Sequence, residues 1–245
     1  MYQINPIVCP ISNAAHLTRK AHLTFAAQDV DPKPEILYID NASVDSTPQM
    51  LAGWDCHVLR NHVPLSVAQS WNQGLEWWWA QGAEHVLVCN NDVELRPDTY
   101  RLLLEDGGGF VTAVGNQSAA CIKALSKPVA EPRGHPDFSC FLIHKEVWDK
   151  VGPFDEKFEM AYCEDQDYHV RLHMAGVWAY CIDLPFYHIG SATVSLMSPK
   201  EQKKLQDMAN RNRAYFREKW GVEGASPEYY AMFTTSPAPS DTNPS

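Results

Sequence analysis

Three side chains that carry oxygen follow an apolar run in the first half of the chain. The run is 86–89 (VLVC), typical of a buried strand, and the residues after it are Asn90, Asn91 and Asp92. A hard divalent cation prefers oxygen ligands and takes only one or two protein carboxylates when a diphosphate supplies the others. The triplet therefore suits a metal site. The alternative is an Asx turn that ends the strand, because Asn and Asp are good turn formers.

An acidic cluster lies further along the chain. Glu164, Asp165 and Asp167 come directly before the helical stretch 168–174. Carboxylates that are crowded together repel, which raises the pKa of one of them and prepares it to take a proton from a hydroxyl. The cluster therefore predicts a general base. A structural role stays open, because acidic residues in the first turn of a helix also favour the helix macrodipole.

A histidine is the third candidate. His188 follows a short apolar segment and precedes the Gly-Ser pair at 190–191. A histidine in this setting either binds a metal or is a hydrogen-bonded structural residue. The metal-binding interpretation gains weight only beside the other two clusters.

Alternating strands and helices would position these residues. Strands are predicted at 4–10, 35–40, 56–60 and 84–89, with helices at 16–28, from 48 onward and at 66–81. This order predicts an α/β fold with a mostly parallel central sheet flanked by helices. Such sheets bind ligands at the carboxyl ends of their strands. Polar clusters follow the predicted strands, at Ser12-Asn13, Asp40-Asn41, Arg60-Asn61 and 90–92.

The second half of the chain is less regular. Its predicted parts are a turn at 107–109, a loop at 127–136 that could order over a ligand, a return to the core at 138–148 and a helix at 198–220. The helix prediction rests on Ser198 and Glu201, which form a capping box with a proline between them. Residues 234–245 lack apolar residues larger than alanine and proline and are predicted to be a disordered tail. Residues 1–233 are left as a single domain.

Composition narrows the function classes. The formal net charge is −10, from 20 Lys and Arg against 30 Asp and Glu. Proteins that bind nucleic acid or anionic lipid usually show a basic footprint, so we expect neither as the main partner. The 7 Cys form no Cys-x-x-Cys pair, which is typical of buried thiols in a reducing compartment. We see no signal-peptide pattern and no apolar run near the ~20 residues of a membrane span. The sequence predicts a cytoplasmic protein.

Taken in order, these pieces resemble the family 2 glycosyltransferases with the GT-A fold, particularly the rhamnosyltransferase-like branch. The resemblance covers about residues 5–221. It is carried by 9–13 (CPISN), 39–47 (IDNASVDST), 72–74 (NQG), 90–93 (NNDV), 152–156 (GPFDE), 164–167 (EDQD) with Arg171, His188 and 213–221 (RAYFREKWG). Two departures stand out. Asn90 replaces the first Asp of the family's metal motif and leaves one fewer charge for the ion, and Ser66 stands where a glycine is usual.

The resemblance implies a role for each matching residue. Asp92 would bind Mn²⁺ or Mg²⁺ at the donor diphosphate, and His188 would be the later metal or diphosphate contact. Asp165, beside Glu164, matches the catalytic base. The implied donor nucleotide-binding residues are Pro10, Ser12, Asn13, Asp40, Asn41, Asp45, Asn72, Asn90 and Asn91. The acceptor-binding residues predicted beside them are Phe138, Phe141 and Asp167.

The implied reaction is an inverting transfer of a sugar from a nucleotide-diphosphosugar donor to an acceptor hydroxyl. Asp165 would take the hydroxyl proton, and one displacement inverts the anomeric configuration. UDP is the default nucleotide, with dTDP and GDP open. The acceptor, whether a glycan, a lipid-linked intermediate or another hydroxyl-bearing molecule, and the oligomeric state are also open. The alternatives are a catalytically inactive nucleotide-sugar or carbohydrate binding module, and a nucleotidyltransferase-like protein, for which 10–14 lacks the Gly-rich phosphate loop.

Overall fold

The computed structural model describes residues 4–123, 135–190 and 197–234. Most of the predicted loop at 127–136, Ser191 and all of the predicted tail except Thr234 lie outside the described residues.

The first half alternates strands and helices, as its sequence predicts. Its elements are β1 (Pro6–Ile11), α1 (Ala15–Ala26), β2 (Glu35–Asn41), α2 (Thr47–Leu51), β3 (His57–Asn61), α3 (Val67–Ala80) and β4 (His85–Cys89). Helix α1 buries Leu17, Ala21 and Phe25, which lie on one face at helical spacing. Helix α3 begins at a capping box in which Ser66 accepts the Gln69 amide and the Gln69 side chain returns to the Ser66 amide.

The second half contains shorter and more varied elements. They are β5 (Val93–Glu94), α4 (Thr99–Asp106), β6 (Phe110–Asn116), a 3₁₀ helix (Ala119–Lys123), β7 (Cys140–His144), α5 (Lys145–Val151), α6 (Glu164–Met174), β8 (Tyr180–His188), α7 (Pro199–Trp220) and α8 (Pro227–Ala231). The predicted turn after α4 forms at Gly107, whose φ of 75° is left-handed. Helix α7 begins at the predicted capping box of Ser198 and Glu201.

The strands of the described residues form one sheet in the order β3-β2-β1-β4-β7-β6-β8-β5. Strands β3, β2, β1 and β4 are parallel to one another, so their carboxyl ends meet at one edge. Strand β7 is antiparallel to β4 and β6, β8 is parallel to β6, and the short β5 is antiparallel to β8. The predicted α/β class is confirmed. Each antiparallel pair includes a strand of the second half.

Helices cover both faces of this sheet. On one face, α1 and α4 pack Phe25, Tyr100 and Leu103 against Ile7 and Leu87. On the other face, α3, α5 and α6 pack aromatic side chains against Val8 and Val88; they include Trp71, Trp78, Trp148 and Tyr168. Most of the eight Trp therefore stabilise the fold by burial of large apolar area.

A separate apolar cluster joins the C-terminal helices to α6. Its buried members are Phe158, Cys163, Val170, Phe216 and Tyr229. It fixes α7 and α8 beside the start of α6. All seven cysteines are free thiols. Among the helices that the structure describes, none combines the length and apolar character that crossing a bilayer requires.

Candidate active site

The loop after β1 is joined to the loop after β2 through the side chain of Asn13. Its Oδ1 accepts hydrogen bonds from the amides of Val44 at 2.8 Å and Asp45 at 3.3 Å, and its own amide donates to Ser43 Oγ at 2.7 Å. The φ of Asn13 is 57°, a left-handed value that Asn tolerates better than most residues. Ser12 Oγ adds a bond to the carbonyl of Asn41 at 3.4 Å. These bonds hold the two loops as one rim.

Asp45 completes this rim from the other side. Its carboxylate accepts the amide of Ala15 at 3.1 Å and the amide of Thr47 at 2.9 Å, at the starts of α1 and α2. Partial burial pushes the pKa of Asp45 upward, but the hydrogen bonds from Thr47 and Ala15 outweigh it, so the pKa lies below its ordinary value. Asp45 is therefore an ionised carboxylate that links the starts of α1 and α2.

Asp40 at the end of β2 lies beneath the rim. It is 0% exposed, and its carboxylate accepts the amide of Ser43 at 3.0 Å. The carboxylate also forms an ion pair with Arg60, the residue that pairs with Asp40 on the adjacent strand β3. The side chain of Arg60 is 42% exposed and also donates to the carbonyl of Ser43 at 2.8 Å. The group that faces outward here is therefore the Arg60 guanidinium. In the sequence, Arg60 is marked only as one of the polar residues at a strand end.

Asn41 belongs to an amide network behind this rim. It donates to Ser70 Oγ at 2.8 Å and accepts from Asn61 Nδ2 at 3.0 Å, and Asn61 also donates to Gln73 at 3.0 Å. Asn41 is buried, so the network ties β2 and β3 to α3. Pro10, two residues before the rim, is paired with Ile39 within the parallel β1–β2 ladder.

Two predicted donor-binding residues have structural partners instead. Asn72 is buried, and its amide bonds both the N–H and the carbonyl of Phe154, at 2.8 and 2.9 Å. In the same motif, a Cβ on Gly74 would lie 2.5 Å from Val8 Cγ1, so the glycine permits close packing of α3 on β1. Asn91 is buried and donates to Thr18 on α1 at 3.2 Å. The donor contacts of Asn72 and Asn91 stay predictions, and both side chains already have partners within the protein.

Two predicted acceptor-binding residues are also enclosed. Phe141 is fully buried between the sheet and α3. Asp167 is fully buried and accepts from Arg171 Nε at 2.9 Å and Trp220 Nε1 at 2.8 Å, with Lys219 Nζ at 2.7 Å. Arg171 lies on α6, and Lys219 and Trp220 lie on α7. Asp167 therefore stabilises the contact between these two helices. Neither residue presents a surface to an acceptor.

Asp92 and His188 meet at the far edge of the sheet. Val93 pairs with His188 across β5 and β8, and this register brings His188 Nε2 to 3.4 Å from Asp92 Oδ1. Burial lowers the pKa of His188, but Asp92 and Asp137 outweigh it, so the pKa lies above its ordinary value. Two sequence clusters about a hundred residues apart are thus brought together, as the metal interpretation requires.

The donor set at this edge fits a metal that also binds a diphosphate. One carboxylate oxygen and one imidazole nitrogen at 3.4 Å are close enough to share an ion. Among the residues that the structure describes, no group of three or more His, Cys, Asp or Glu could hold a metal by itself. Most of the coordination would therefore have to come from the ligand and water, which is how Mg²⁺ is commonly held.

The acidic pair begins α6 after a strained loop. Met160, Tyr162 and Cys163 have φ values of 53°, 81° and 72°, and such left-handed backbone costs ~1–3 kcal/mol at a residue other than glycine. Burial raises the pKa of Asp165, helped by the charge of Asp137. Burial, and then the charge of Asp165, raise the pKa of Glu164 well above its ordinary value. Both carboxyl groups therefore have raised pKa values, as expected of a general base.

Asn212 on α7 holds this loop in place. Its Nδ2 donates to the carbonyls of Glu159 at 2.8 Å, Ala161 at 3.0 Å and Tyr162 at 3.0 Å, and its Oδ1 accepts the amide of Glu159 at 2.9 Å. Sequence reasoning missed Asn212, although it directly precedes the matching stretch 213–221.

An open cavity of about 420 Å³ lies between the acidic pair and the end of β4. Asn90, Asp137, Phe138, Glu164 and Asp165 lie on its wall. Asn90 is fixed there by a bond from its amide to the carbonyl of Ser139 at 3.0 Å. Asn90, the first residue of the predicted metal motif, and the predicted base thus border one space, whereas Asp92 and His188 are not among its lining residues. Asp137 is a further carboxylate that sequence reasoning missed; its only signal was its place before the stretch at 138–148.

Comparisons with known proteins find a family match in the first half of the chain. Residues 7–106 match the family model described as Glycosyl transferase family 2. No curated protein matches the sequence. The matched segment contains the donor-side rim and Asp92, while Glu164 and Asp165 lie beyond it.

Solved glycosyltransferases share the fold. Mannosyltransferase PcManGT from Pyrobaculum calidifontis, solved with GDP-Man and Mn²⁺, is 16% identical at a TM-score of 0.61, over 95% of this chain and 68% of PcManGT. S. aureus TarS is 14% identical at a TM-score of 0.58, over 77% of this chain and 37% of TarS. TarS 1–349, solved with UDP-GlcNAc, gives a TM-score of 0.58 at 14% identity, over 86% of this chain and 66% of that one.

This chain spans little more than a third of the full TarS chain and about two thirds of the other two. Identities this low show a common fold. Residues 7–106 match the model described as Glycosyl transferase family 2, and the described residues share the fold of these solved glycosyltransferases.

Proposed function

We propose that this protein is an inverting glycosyltransferase that moves a sugar from a nucleotide-diphosphosugar to an acceptor hydroxyl, with Asp165 as the general base. The observation that carries the proposal is the wall of the larger cavity. There a carboxyl group with a raised pKa shares one space with Asn90 of the Asn-Asn-Asp motif. We also propose that residues 1–98 form the nucleotide-binding half and 99–233 the acceptor-binding half.

The raised pKa supports Asp165 as the base. A general base works best when its pKa is close to the working pH, and burial moves an aspartate in that direction. As the acceptor oxygen bonds to the anomeric carbon, its proton passes to Asp165. The bond from that carbon to the diphosphate oxygen breaks, and the nucleoside diphosphate leaves with the electron pair. A single displacement from the opposite face inverts the configuration. Glu164 would assist by holding a proton itself, so that the two neighbouring carboxyl groups are not both charged.

On the donor side, the rim formed by Ser12, Asn13 and Asp45 would receive the nucleotide. Arg60 would present its guanidinium there, in place of the buried carboxylate of Asp40. UDP is the first nucleotide to test. GDP is the second, because the solved neighbours bind UDP-GlcNAc or GDP-Man. dTDP, which the sequence leaves open, is the third nucleotide to test.

Asp92 and His188 would hold Mn²⁺ or Mg²⁺ in this proposal. When bound, the ion neutralises the charge that develops on the departing diphosphate. Asn90, on the cavity wall, would contribute an amide where a second carboxylate is more usual, so the ion would depend more strongly on Asp92.

The proposal is tested by the variant Asp165→Asn. We expect kcat for donor turnover to fall by ~10²–10⁴-fold, the usual size of a general-base contribution, while the Kd for the nucleotide is unchanged. Turnover is measured as release of nucleoside diphosphate, and binding by calorimetry. The matched control is Asp149→Asn, an exposed aspartate on α5 paired with Lys145.

Two outcomes would count against the proposal. If Asp165→Asn turns over the donor as fast as the parent, Asp165 is not the base. If the parent binds nucleotide-sugars tightly but transfers no sugar to any acceptor or water, the protein is the inactive binding module.

A further inference from the structure

A smaller cavity of about 180 Å³ adjoins the larger one. The two share Pro136, Phe138 and Asp165, so the Asp165 carboxyl lies where they meet. The smaller cavity is otherwise lined mainly by rings, which belong to His135, His169, Tyr229 and Tyr230. It extends away from Asn90 and the donor side, towards α8.

Helix α8 builds the fixed part of this wall. Ser226 caps α8 by accepting the amide of Tyr229, and the Tyr229 hydroxyl bonds His169 Nδ1 at 2.9 Å. The His169 ring stacks on Phe233 with centroids 3.8 Å apart and an angle of 5° between the planes. Burial, with His135 and His173 nearby, lowers the pKa of His169 to about 3, so this ring is neutral. The wall is therefore rigid and uncharged.

The outer part of the wall exposes aromatic surface. Tyr230 is 41% exposed, and the exposed ring of His135 lies beside it with centroids 4.3 Å apart. Neither ring is needed to fill the apolar core. Aromatic surface that is held rigidly beside a carboxyl group is typical of a ligand site with a few placed polar groups.

We propose that this aromatic cavity binds one sugar ring of a carbohydrate acceptor, with its C–H face on Tyr230 and His135 and its reacting hydroxyl at Asp165. This inference rests on the proposed function and names the acceptor class for it. During transfer, the hydroxyl oxygen bonds to the anomeric carbon of the donor. Its proton goes to Asp165, and the nucleoside diphosphate departs with the electrons of the broken bond.

The size and the lining of the cavity fit a sugar ring. Its volume of about 180 Å³ holds one ring-sized group. Apart from Pro136, Asp165 and Gln166, the described residues that line it are aromatic. A sugar ring matches it because the ring has an apolar C–H face and a rim of hydroxyls.

The test uses small sugars as probes, so that it does not depend on turnover. Methyl glycopyranosides of glucose, galactose, mannose and N-acetylglucosamine are presented to the whole protein with UDP or GDP and Mn²⁺. Binding is followed by saturation-transfer NMR, with cyclohexanol as an apolar ring that lacks the hydroxyl rim. The variants are Tyr230→Ala and His135→Ala. Trp178→Ala removes an exposed ring that lines neither cavity and is the matched control.

We expect at least one sugar to bind, and its Kd to rise by ~5–10-fold in Tyr230→Ala and in His135→Ala but not in Trp178→Ala, as loss of one ring contact implies. Unchanged sugar binding in both cavity variants would overturn the inference, as would equal binding of cyclohexanol or no sugar binding to folded protein. Donor hydrolysis is measured in the same samples. A parent that hydrolyses the donor while these tests fail retains the proposed function and loses only the acceptor subsite.

Discussion

At the scale of single residues, Glu164 has an unusual environment for a carboxyl group. It is 6% exposed, and its Oε2 has no hydrogen-bond partner among the described residues. Burial first, and then the charge of Asp165, raise its pKa. A folded pKa above the unfolded one means that the protonated carboxyl stabilises the fold. That contribution is complete below the unfolded pKa of about 4.3 and is lost as the pH rises through the folded pKa.

The variant Glu164→Gln should remove this pH dependence. We expect the free energy of unfolding of the parent to fall from pH 5 to pH 8 relative to Glu164→Gln. Each unit by which the folded pKa exceeds the unfolded one is worth about 1.4 kcal/mol. Urea unfolding at several pH values measures the difference. Glu218→Gln, an exposed site on α7, is the control. If the two variants show the same pH profile, Glu164 does not titrate as its burial indicates.

The candidate site shows how far residue types predict chemistry. The Asp92 and His188 clusters were found separately, and the sequence could not show that the β5–β8 register would join them. At Asp40 the residue type was informative, but Arg60 and a backbone amide already use its carboxylate. Sequence patterns indicate which groups can bind a ligand. They do not show which of those groups already form hydrogen bonds or ion pairs within the protein.

At the scale of elements, α7 and the loop 159–163 act as one unit. The Asn212 side chain bonds backbone groups of Glu159, Ala161 and Tyr162, and this loop carries Glu164 and Asp165 at its end. A loop with several left-handed residues relaxes when it is not held. The capping box predicted α7 correctly, but the target of Asn212 lies about fifty residues earlier and has no local signal.

We therefore expect Asn212→Ala to act mainly on kcat. Loss of these bonds should destabilise the fold by ~1–3 kcal/mol. It should also lower kcat by ~10²-fold through displacement of Asp165, with little change in the Kd for the donor nucleotide. Steady-state kinetics well below the melting temperature separate the two effects. Asn210→Ala, exposed on the same helix, is the matched control. A variant that loses stability but keeps its kcat would show that Asn212 only supports the fold.

The elements differ in how well the sequence predicts them. β1 to β4 and their helices were predicted because each strand is a local apolar run that ends in polar residues. Strands β6 and β8 were not assigned, and β8 contains Asp183 and Pro185, which break the apolar pattern. Their parallel pairing includes a register shift between Thr112 and Val114. Contacts between distant segments determine that pairing, and local propensity does not contain them.

At the scale of the whole molecule, the proposed reaction requires an acidic protein to bind an anionic donor. The formal net charge is −10, and the acidic side chains of Asp137, Glu164 and Asp165 line the larger cavity. A diphosphate entering this field is repelled unless a cation accompanies it. The charge distribution therefore favours donor binding that depends on a divalent cation.

This dependence is measurable as a shift in melting temperature. A ligand at a hundredfold excess over its Kd stabilises the folded state by about 2.7 kcal/mol. For a chain of this size, that corresponds to a rise of roughly 5–10 °C. We expect the rise with UDP or GDP in Mn²⁺, and its loss in EDTA and in Asp92→Asn, whereas Asp149→Asn keeps it. A nucleotide that gives the same rise in EDTA would bind through the rim alone. The carboxylate of Asp92 and the imidazole of His188 would then serve the β5–β8 contact, and the acidic cavity would have to accept the diphosphate without a cation.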